Sequence, residues 1–464
     1  MRSVKTLIAC VAFLAVGCGS DPDPVDGGPM TMTDAGPMGM TDAGDVDSAT
    51  PPTGDGNDSF ADADMLDISG DPATVMARIG TPGDQDFYRF DGTAGQWVLI
   101  STEANTDDDA MMVDTVITLF DASMTMIAEN DDGVPRANPD SELITRLPAD
   151  GVYYVMVQEF SQWTDATPLE GQADFNYELS VARLNTDATA VTLDAEGGDD
   201  LASAQAIGYS VDTSDFGIVV GDFRDGSDVD VFSFTVGAGK ENIRMMMMPS
   251  GNTGYGSTTA VGRMWITNAD ASEIIARINI SEPSDPMLDD VVNIQPNLPP
   301  GDYNFFVENG GTPGSNGFYV LKVWRFSADN DPETDDMANN DPTMAQPIAL
   351  EDDMGVRRGF ILPRVGDGDM DYFSFDVMGT EQLNVFCGSA SAGSGVQGLT
   401  ATVFDSTGTT ELVSASETAT TDIAIRDFSA VSPGNYLLRI TKTGQDAEVT
   451  GNWARCGIAL APPT

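Results

Sequence analysis

One seven-residue pattern, repeated at domain-sized intervals, constrains this chain more than anything else in it. Asp84-Gln85-Asp86-Phe87-Tyr88-Arg89-Phe90 returns as Asp228-Val229-Asp230-Val231-Phe232-Ser233-Phe234 and again as Asp369-Met370-Asp371-Tyr372-Phe373-Ser374-Phe375. The second aspartates lie 144 and 141 residues apart, a period that fits whole domains rather than the short units of a solenoid. Each pattern alternates in polarity, so it reads as a strand with one buried face. Tyr88 with Phe90, Phe232 with Phe234 and Phe373 with Phe375 would point into a core, while Arg89, Ser233 and Ser374 face outward.

Two further landmarks keep the same order in every copy. Downstream comes a turn and a strand: Asp150-Gly151-Val152-Tyr153, Pro300-Gly301-Asp302-Tyr303 and Pro433-Gly434-Asn435-Tyr436. Upstream lies a polar step before a short Ala-containing stretch: Asn57-Asp58-Ser59-Phe60-Ala61, Asp199-Asp200-Leu201-Ala202 and Asn340-Asp341-Pro342-Thr343-Met344-Ala345. Between them run alternating segments such as Val116-Ile117-Thr118-Leu119-Phe120, separated by Gly, Asn, Asp and Pro clusters. No window carries a sustained helical stripe beyond a short turn near Phe60 to Leu66. The chain is therefore expected to be all-β, three tandem antiparallel β-sandwich domains of eight or nine strands, over residues 57–185, 198–326 and 339–461.

The segment before the first copy reads as an address and a tether. Residues 1–17 join Arg2 and Lys5 to an apolar run, Leu7 to Val16, too short for a permanent membrane span. Ala15-Val16-Gly17-Cys18 resembles a bacterial lipobox, which makes residues 1–17 a lipoprotein signal peptide and Cys18 a lipid anchor. A soluble secretory signal cut nearby is the other reading. Residues 18–56 lack Lys, Arg and aromatic side chains, and more than half of the stretch is Asp, Gly or Pro. Such a segment cannot bury enough apolar surface to offset its ordering entropy, so it is expected to be disordered. As a coil it would hold the first domain roughly 30 to 40 Å from the lipid. The expected location is the cell envelope, at the outer membrane or cell surface, with the membrane reached through the anchor.

Charge and composition remove many functions. The chain holds 74 acidic and 21 basic residues, a formal net charge of −53, which repels phosphate backbones and argues against nucleic-acid partners. It contains no histidine, which excludes Ser-His-Asp and Cys-His nucleophile systems and the histidine metalloprotease helix. No phosphate loop, nucleophile elbow or dinucleotide fingerprint is present. A non-enzyme is expected. A carboxylate-dependent hydrolase is neither supported nor removed by spacing, because acids are everywhere.

The strand pattern of the first copy, with Leu119-Phe120-Asp121, Ile127-Ala128-Glu129-Asn130-Asp131-Asp132 and Leu147-Pro148-Ala149-Asp150-Gly151-Val152-Tyr153-Tyr154, resembles the bacterial pre-peptidase C-terminal domain. The third copy keeps Thr402-Val403-Phe404-Asp405-Ser406 without the Asn-Asp-Asp step. The second has Met264-Trp265-Ile266-Thr267-Asn268 at the Leu-Phe-Asp position, so both resemble divergent members. The resemblance implies a jelly-roll-like sandwich, normally appended to secreted bacterial enzymes and related to collagen-binding domains of clostridial collagenases, a branch stabilised by calcium. Carried over by position, it nominates Asn57, Asp58, Asp84 and Asp86 in the first copy, Asp199, Asp200, Asp228 and Asp230 in the second, and Asn340, Asp341, Asp369 and Asp371 in the third. Oxygen ligands of this kind suit Ca2+. Aspartates before a strand also simply make turns and protect edges. Asp367-Gly368-Asp369-Met370-Asp371 is not an EF-hand, since Tyr372 stands at the glycine position and Met378 at that of the bidentate glutamate. Asn130-Asp131-Asp132-Gly133 reads as a turn.

Of the four cysteines, Cys10 lies in the leader and Cys18 is the proposed anchor, leaving Cys387 and Cys456. In an oxidising compartment this pair reads as a disulfide, with two buried free thiols as the alternative. Met245-Met246-Met247-Met248 reads as core filling on a strand. The function expected is that of a non-catalytic, lipid-anchored surface protein. Its binding or adhesion to an extracellular polymer or protein is implied by the resemblance alone. An accessory or export-related module for a separate exoenzyme is the second reading.

Overall fold

The computed structural model describes residues 56–462 except 71, 105–112, 134–139, 173–174, 195–199, 211–214, 249–255, 259–260, 280–291, 312–315, 327–330, 334–338, 354, 419–420 and 430–431. The leader, the tether with Cys18, and Asp199 lie outside the described residues. The described chain divides into two compact units, one ending at Leu184 and the other beginning at Asn185. The first copy makes up the former, and the second and third copies share the latter.

The first copy contains β1 (Asp64–Met65), β2 (Ala73–Arg78), β3 (Gln85–Gly92), β4 (Trp97–Glu103), β5 (Thr115–Phe120), β6 (Met126–Asn130), β7 (Glu142–Arg146), β8 (Gly151–Glu159) and β9 (Asn176–Arg183). One sheet is ordered β1-β3-β8-β5-β6 and the other β2-β9-β4-β7. Successive strands from β2 to β5 alternate between the sheets, and every pairing except that of β1 with β3 is antiparallel. This is the jelly-roll order. Sequence alternation sets the faces: Tyr88 and Phe90 of β3 are buried between the sheets and Arg89 is exposed.

The same order recurs twice in the second unit. In the second copy, Val229–Val236, Gly301–Asn309, Val261–Asn268 and Ile274–Asn279 are neighbours in one sheet, and Asp215–Asp222, Phe318–Phe326, Asn242–Met248 and Val292–Ile294 in the other. In the third, the sets are Asp371–Val377, Gly434–Thr441, Thr400–Phe404 and Glu411–Ser416, then Val356–Leu362, Arg455–Ala461, Gln382–Gly388 and Ile423–Phe428. Val191–Leu193 and Asp331–Pro332 add short parallel strands to these sandwiches, so the segments ahead of residues 198 and 339 are already part of them. Met245 and Met247 fill the second core, as their strand pattern anticipates.

The second and third copies are joined through main chain as well as side chains. Arg277, on an edge strand of the second copy, and Gln295, just past the end of another, donate their N–H groups to Gly393 and Ala392 of the third at 2.8 and 3.0 Å. The N–H of Thr450 returns a bond to the Ile274 carbonyl at 2.8 Å. The Arg277 guanidinium bonds Asp446 at 2.8 Å and also reaches Glu448, while Arg455 Nε donates to the Gln295 carbonyl at 2.7 Å. Trp453 of the third copy belongs to the hydrophobic core of the second. Gly393 sits at φ +83°, and a Cβ there would lie 2.5 Å from Ile294, so both its backbone and the close approach require glycine.

Candidate functional site

The repeated aspartate step lies where the chain enters its first aromatic strand, and each copy treats it alike in part. The first aspartate turns back on the loop before it. Asp84 accepts from the N–H of Gly80 at 2.8 Å, Asp228 from that of Arg224 at 2.6 Å, and Asp369 from that of Gly366 at 3.3 Å. All three are buried. In the second copy the Arg224 guanidinium also sits on Asp228 at 2.9 Å.

The second aspartate points into the sandwich. Asp86, Asp230 and Asp371 are 0%, 2% and 0% exposed, and a buried carboxylate needs donors. In the first copy the Tyr177 hydroxyl, from the opposite sheet, donates to Asp86 and contacts the Tyr88 hydroxyl at 3.1 Å. In the second, Tyr319 donates to Asp230 at 2.8 Å. Burial and the adjacent carboxylate push both hydroxyls well above the ordinary tyrosine range, so each remains a donor. Tyr177 and Tyr319 are the second residues of Asn176–Arg183 and Phe318–Phe326. Cys456 is the second residue of the matching strand Arg455–Ala461, and it is disulfide-bonded to Cys387 directly opposite, with Cα atoms 4.1 Å apart. The third copy thus has a cystine where the others have a tyrosine.

The turn-and-strand landmark is also structural. Tyr153, Tyr303 and Tyr436 donate their hydroxyls to the carbonyls of Ala149, Pro299 and Ser432, each four residues upstream, at 2.6, 2.8 and 2.8 Å. The same rings stack on Phe90, Phe234 and Phe375 at centroid distances of 5.7, 5.6 and 6.0 Å. Each repeated motif therefore supplies one half of a stacked pair, and the tyrosine corner fixes the turn ahead of its strand.

The opening residues separate into two roles. The Asn57 carbonyl accepts from the N–H of Phe87 at 2.9 Å, and the Asn339 carbonyl accepts from Tyr372 at 2.9 Å. By this register Asn339, not the expected Asn340, is the counterpart of Asn57. The asparagine doublet at 339–340 hides this register in the sequence. Asp58 is exposed. Asp200 accepts from Ser203 and Asp341 from Thr343, through both main-chain N–H and hydroxyl. These bonds hold the two carboxyls below the usual range, as expected for caps of a tight turn. Asn340 Oδ1 accepts from the N–H of Met370 at 3.1 Å.

Calcium can be tested against these donors. In the second copy they do not fit a cation, because Arg224 is bonded to Asp228 and Tyr319 to Asp230. In the first, Asn57 is buried beside β3 and the Asp58 carboxylate is exposed. In the third, Asn339 is 2% exposed and neither side-chain amide atom has a hydrogen-bond partner, so its carbonyl oxygen fits a ligand role best. Among the described residues, no group of three or more His, Cys, Asp or Glu side chains is gathered closely enough to hold a metal.

Comparisons with known proteins agree with the first copy. Residues 84–159 match the family model of the bacterial pre-peptidase C-terminal domain. A probable subtilase-type serine protease of Deinococcus radiodurans is 39% identical over 103 residues, 22% of this chain and 13% of that protein's length. The pre-peptidase C-terminal domain of a Bacillus anthracis collagenase aligns at 18% identity over 26% of this chain and 93% of its own, with a TM-score of 0.19. A triple jelly-roll protein of an archaeal virus turret aligns over 85% of the chain and 82% of its own at 10% identity and a TM-score of 0.15. Residues 84–159 match the pre-peptidase C-terminal family model, and the strand order and landmark side chains of the first copy recur in the second and third.

Proposed function

We propose that this protein is a non-catalytic display scaffold: three jelly rolls carried on an acidic tether, anchored to the envelope through lipid on Cys18, and binding an extracellular polymer or protein. The observation that carries this reading is the use made of the repeated residues. The aspartate–tyrosine bonds, the stacked Phe–Tyr pairs and the tyrosine corners tie the recurring motifs to folding, so what has been repeated is a scaffold rather than a reactive constellation. A second reading, an accessory module serving a separate secreted protease, is favoured by the 103-residue match to the Deinococcus enzyme.

Pull-down from detergent-solubilised envelopes separates the two. Retention on matrix protein or polysaccharide without a stoichiometric companion supports display, and one stoichiometric protease supports the accessory reading. Cys18→Ala is expected to move the protein from the membrane fraction to the soluble one; unchanged fractionation would contradict the anchor. Calcium is proposed as a stabiliser held by Asn339 and the adjacent aspartates of the third copy, and by Asn57, Asp58 and Asp84 in the first, where Tyr177 occupies Asp86 as Tyr319 does Asp230. Ligand binding to the folded state raises the melting point, so identical midpoints in calcium and in EDTA would remove the ion from the account.

A further inference from the structure

The described methionine side chains fall into two groups with nothing between them. Met156, Met245, Met246, Met247 and Met264 are 0 to 8% exposed, whereas seven others are 42 to 73% exposed. The exposed ones are Met65, Met76, Met124 and Met126 in the first copy and Met344, Met370 and Met378 in the third. They make up seven of the ten large apolar side chains exposed among the described residues, the other three being leucines. A flexible thioether fills gaps in a core. One left in water adds little burial, so folding does not account for this set.

Equivalent positions make the same point. Met65 lies opposite Arg89, and the residues in its place in the other copies are Ala206 and Pro347, opposite Ser233 and Ser374. Met124 stands in a tight turn at φ +64°, where Ala271 and Gly408 stand at +54° and +68°. Each donates its N–H to the carbonyl of the third residue before it. The left-handed region favours glycine, so a long side chain there costs conformational energy without gaining a core.

Among the described residues few other fast-reacting nucleophiles share this surface. The chain has no histidine, and beyond the leader it has three lysines. Lys322 is buried, the Lys442 side chain is 4% exposed with Asp367 at 3.1 Å, and Lys240 is half-buried beside Asp215 at 3.7 Å. Cys387 and Cys456 are joined in the disulfide. Hypochlorous acid reacts fastest with thioethers, thiols and amines. Here the thioethers alone are both numerous and open to water.

We propose that the exposed methionines form a sacrificial surface that consumes hypochlorous acid while the sandwiches beneath stay folded. In each event the thioether sulfur loses two electrons and gains one oxygen atom, becoming a sulfoxide. The chlorine of the acid takes up the two electrons and leaves as chloride, and the acid's proton goes to solvent. A sulfoxide is polar, so it disrupts a core but leaves a side chain already in water where it was. Placement therefore decides the outcome: the exposed set reacts, and the methionines of the second core are kept out of reach.

Stepwise addition of hypochlorous acid to the full chain, with peptide mass spectrometry after each step, tests this. The seven exposed methionines are expected to reach half conversion at a dose at least about tenfold below that for Met245, Met246, Met247 and Met264. Both units should keep their melting midpoints within about 2 °C once the seven are oxidised. In a second chain, Met65→Leu, Met76→Leu, Met124→Gly and Met126→Leu remove the exposed thioethers from the first copy. At a dose the unaltered protein tolerates, that copy should take damage at the half-buried Tyr154 and Trp163. Its midpoint should fall by at least about 4 °C while the other unit holds. Exposed and buried methionines oxidised in step, or a unit that unfolds as its exposed set is converted, would overturn the proposal without any variant having to fold. A variant that tolerates the acid as well as the unaltered chain would overturn it too.

Discussion

Tyr177 and Tyr319 each place a hydroxyl on a carboxylate that the sandwich has removed from water, and that bond fixes both partners' chemistry. Removing the donor leaves Asp86 or Asp230 buried with one bond fewer, at a cost of about 1 to 3 kcal/mol. Tyr177→Phe and Tyr319→Phe should each lower the urea midpoint of their own unit by a corresponding amount. The exposed corner at Tyr436 should matter less, with Tyr436→Phe near the lower end. Equal effects at all three would contradict the assignment. The same geometry sets an alkaline limit. Both hydroxyls hold their protons more tightly folded than unfolded, so their stabilisation is complete below about pH 10 and is lost as pH climbs through the folded values. Absorbance titration should show these two tyrosines ionising only as the fold is lost; free titration near pH 10 in the native state would refute it.

At the scale of strands, the cystine is the clearest departure from threefold likeness. Cys387 and Cys456 bridge neighbouring strands and close a loop of 69 residues, worth about 4 kcal/mol in the chain-entropy model. Replacing both with serine should lower the midpoint of the unit beginning at Asn185 and leave the first copy unchanged; a shift in the first copy would count against separate units. The sandwich faces were legible in sequence because a strand declares its buried side every second residue, as Tyr88 and Phe90 do. The cystine was legible too, because only two cysteines remained for pairing. The tyrosine partners of Asp86 and Asp230 were not. They lie 91 and 89 residues downstream of those aspartates, on the facing sheet, and no local pattern links a donor to an acceptor across a core. Asn339 was missed for a simpler reason: Asn340 offers the same side chain one position on, and only the bond to Tyr372 sets the register.

For the whole molecule, three like domains do not give three independent bodies. Trp453 is 6% exposed, and it belongs to the second copy's core although the third copy supplies it. Main-chain bonds at Arg277, Gln295 and Thr450 extend the same joint. The first copy ends at Leu184 and forms its own unit. A cooperative transition should therefore embrace the second and third copies together, because the core of one is incomplete without the other. Truncating a buried tryptophan to alanine costs about 3 to 5 kcal/mol, on the order of 10 °C for a unit of this size. The most direct test is residue-resolved thermal unfolding of the full chain with and without Trp453→Ala. The account predicts that strands 229–236 and 371–377 lose protection together and that the substitution lowers both while 85–92 holds its midpoint. Three separate transitions, with 229–236 indifferent to Trp453, would contradict it.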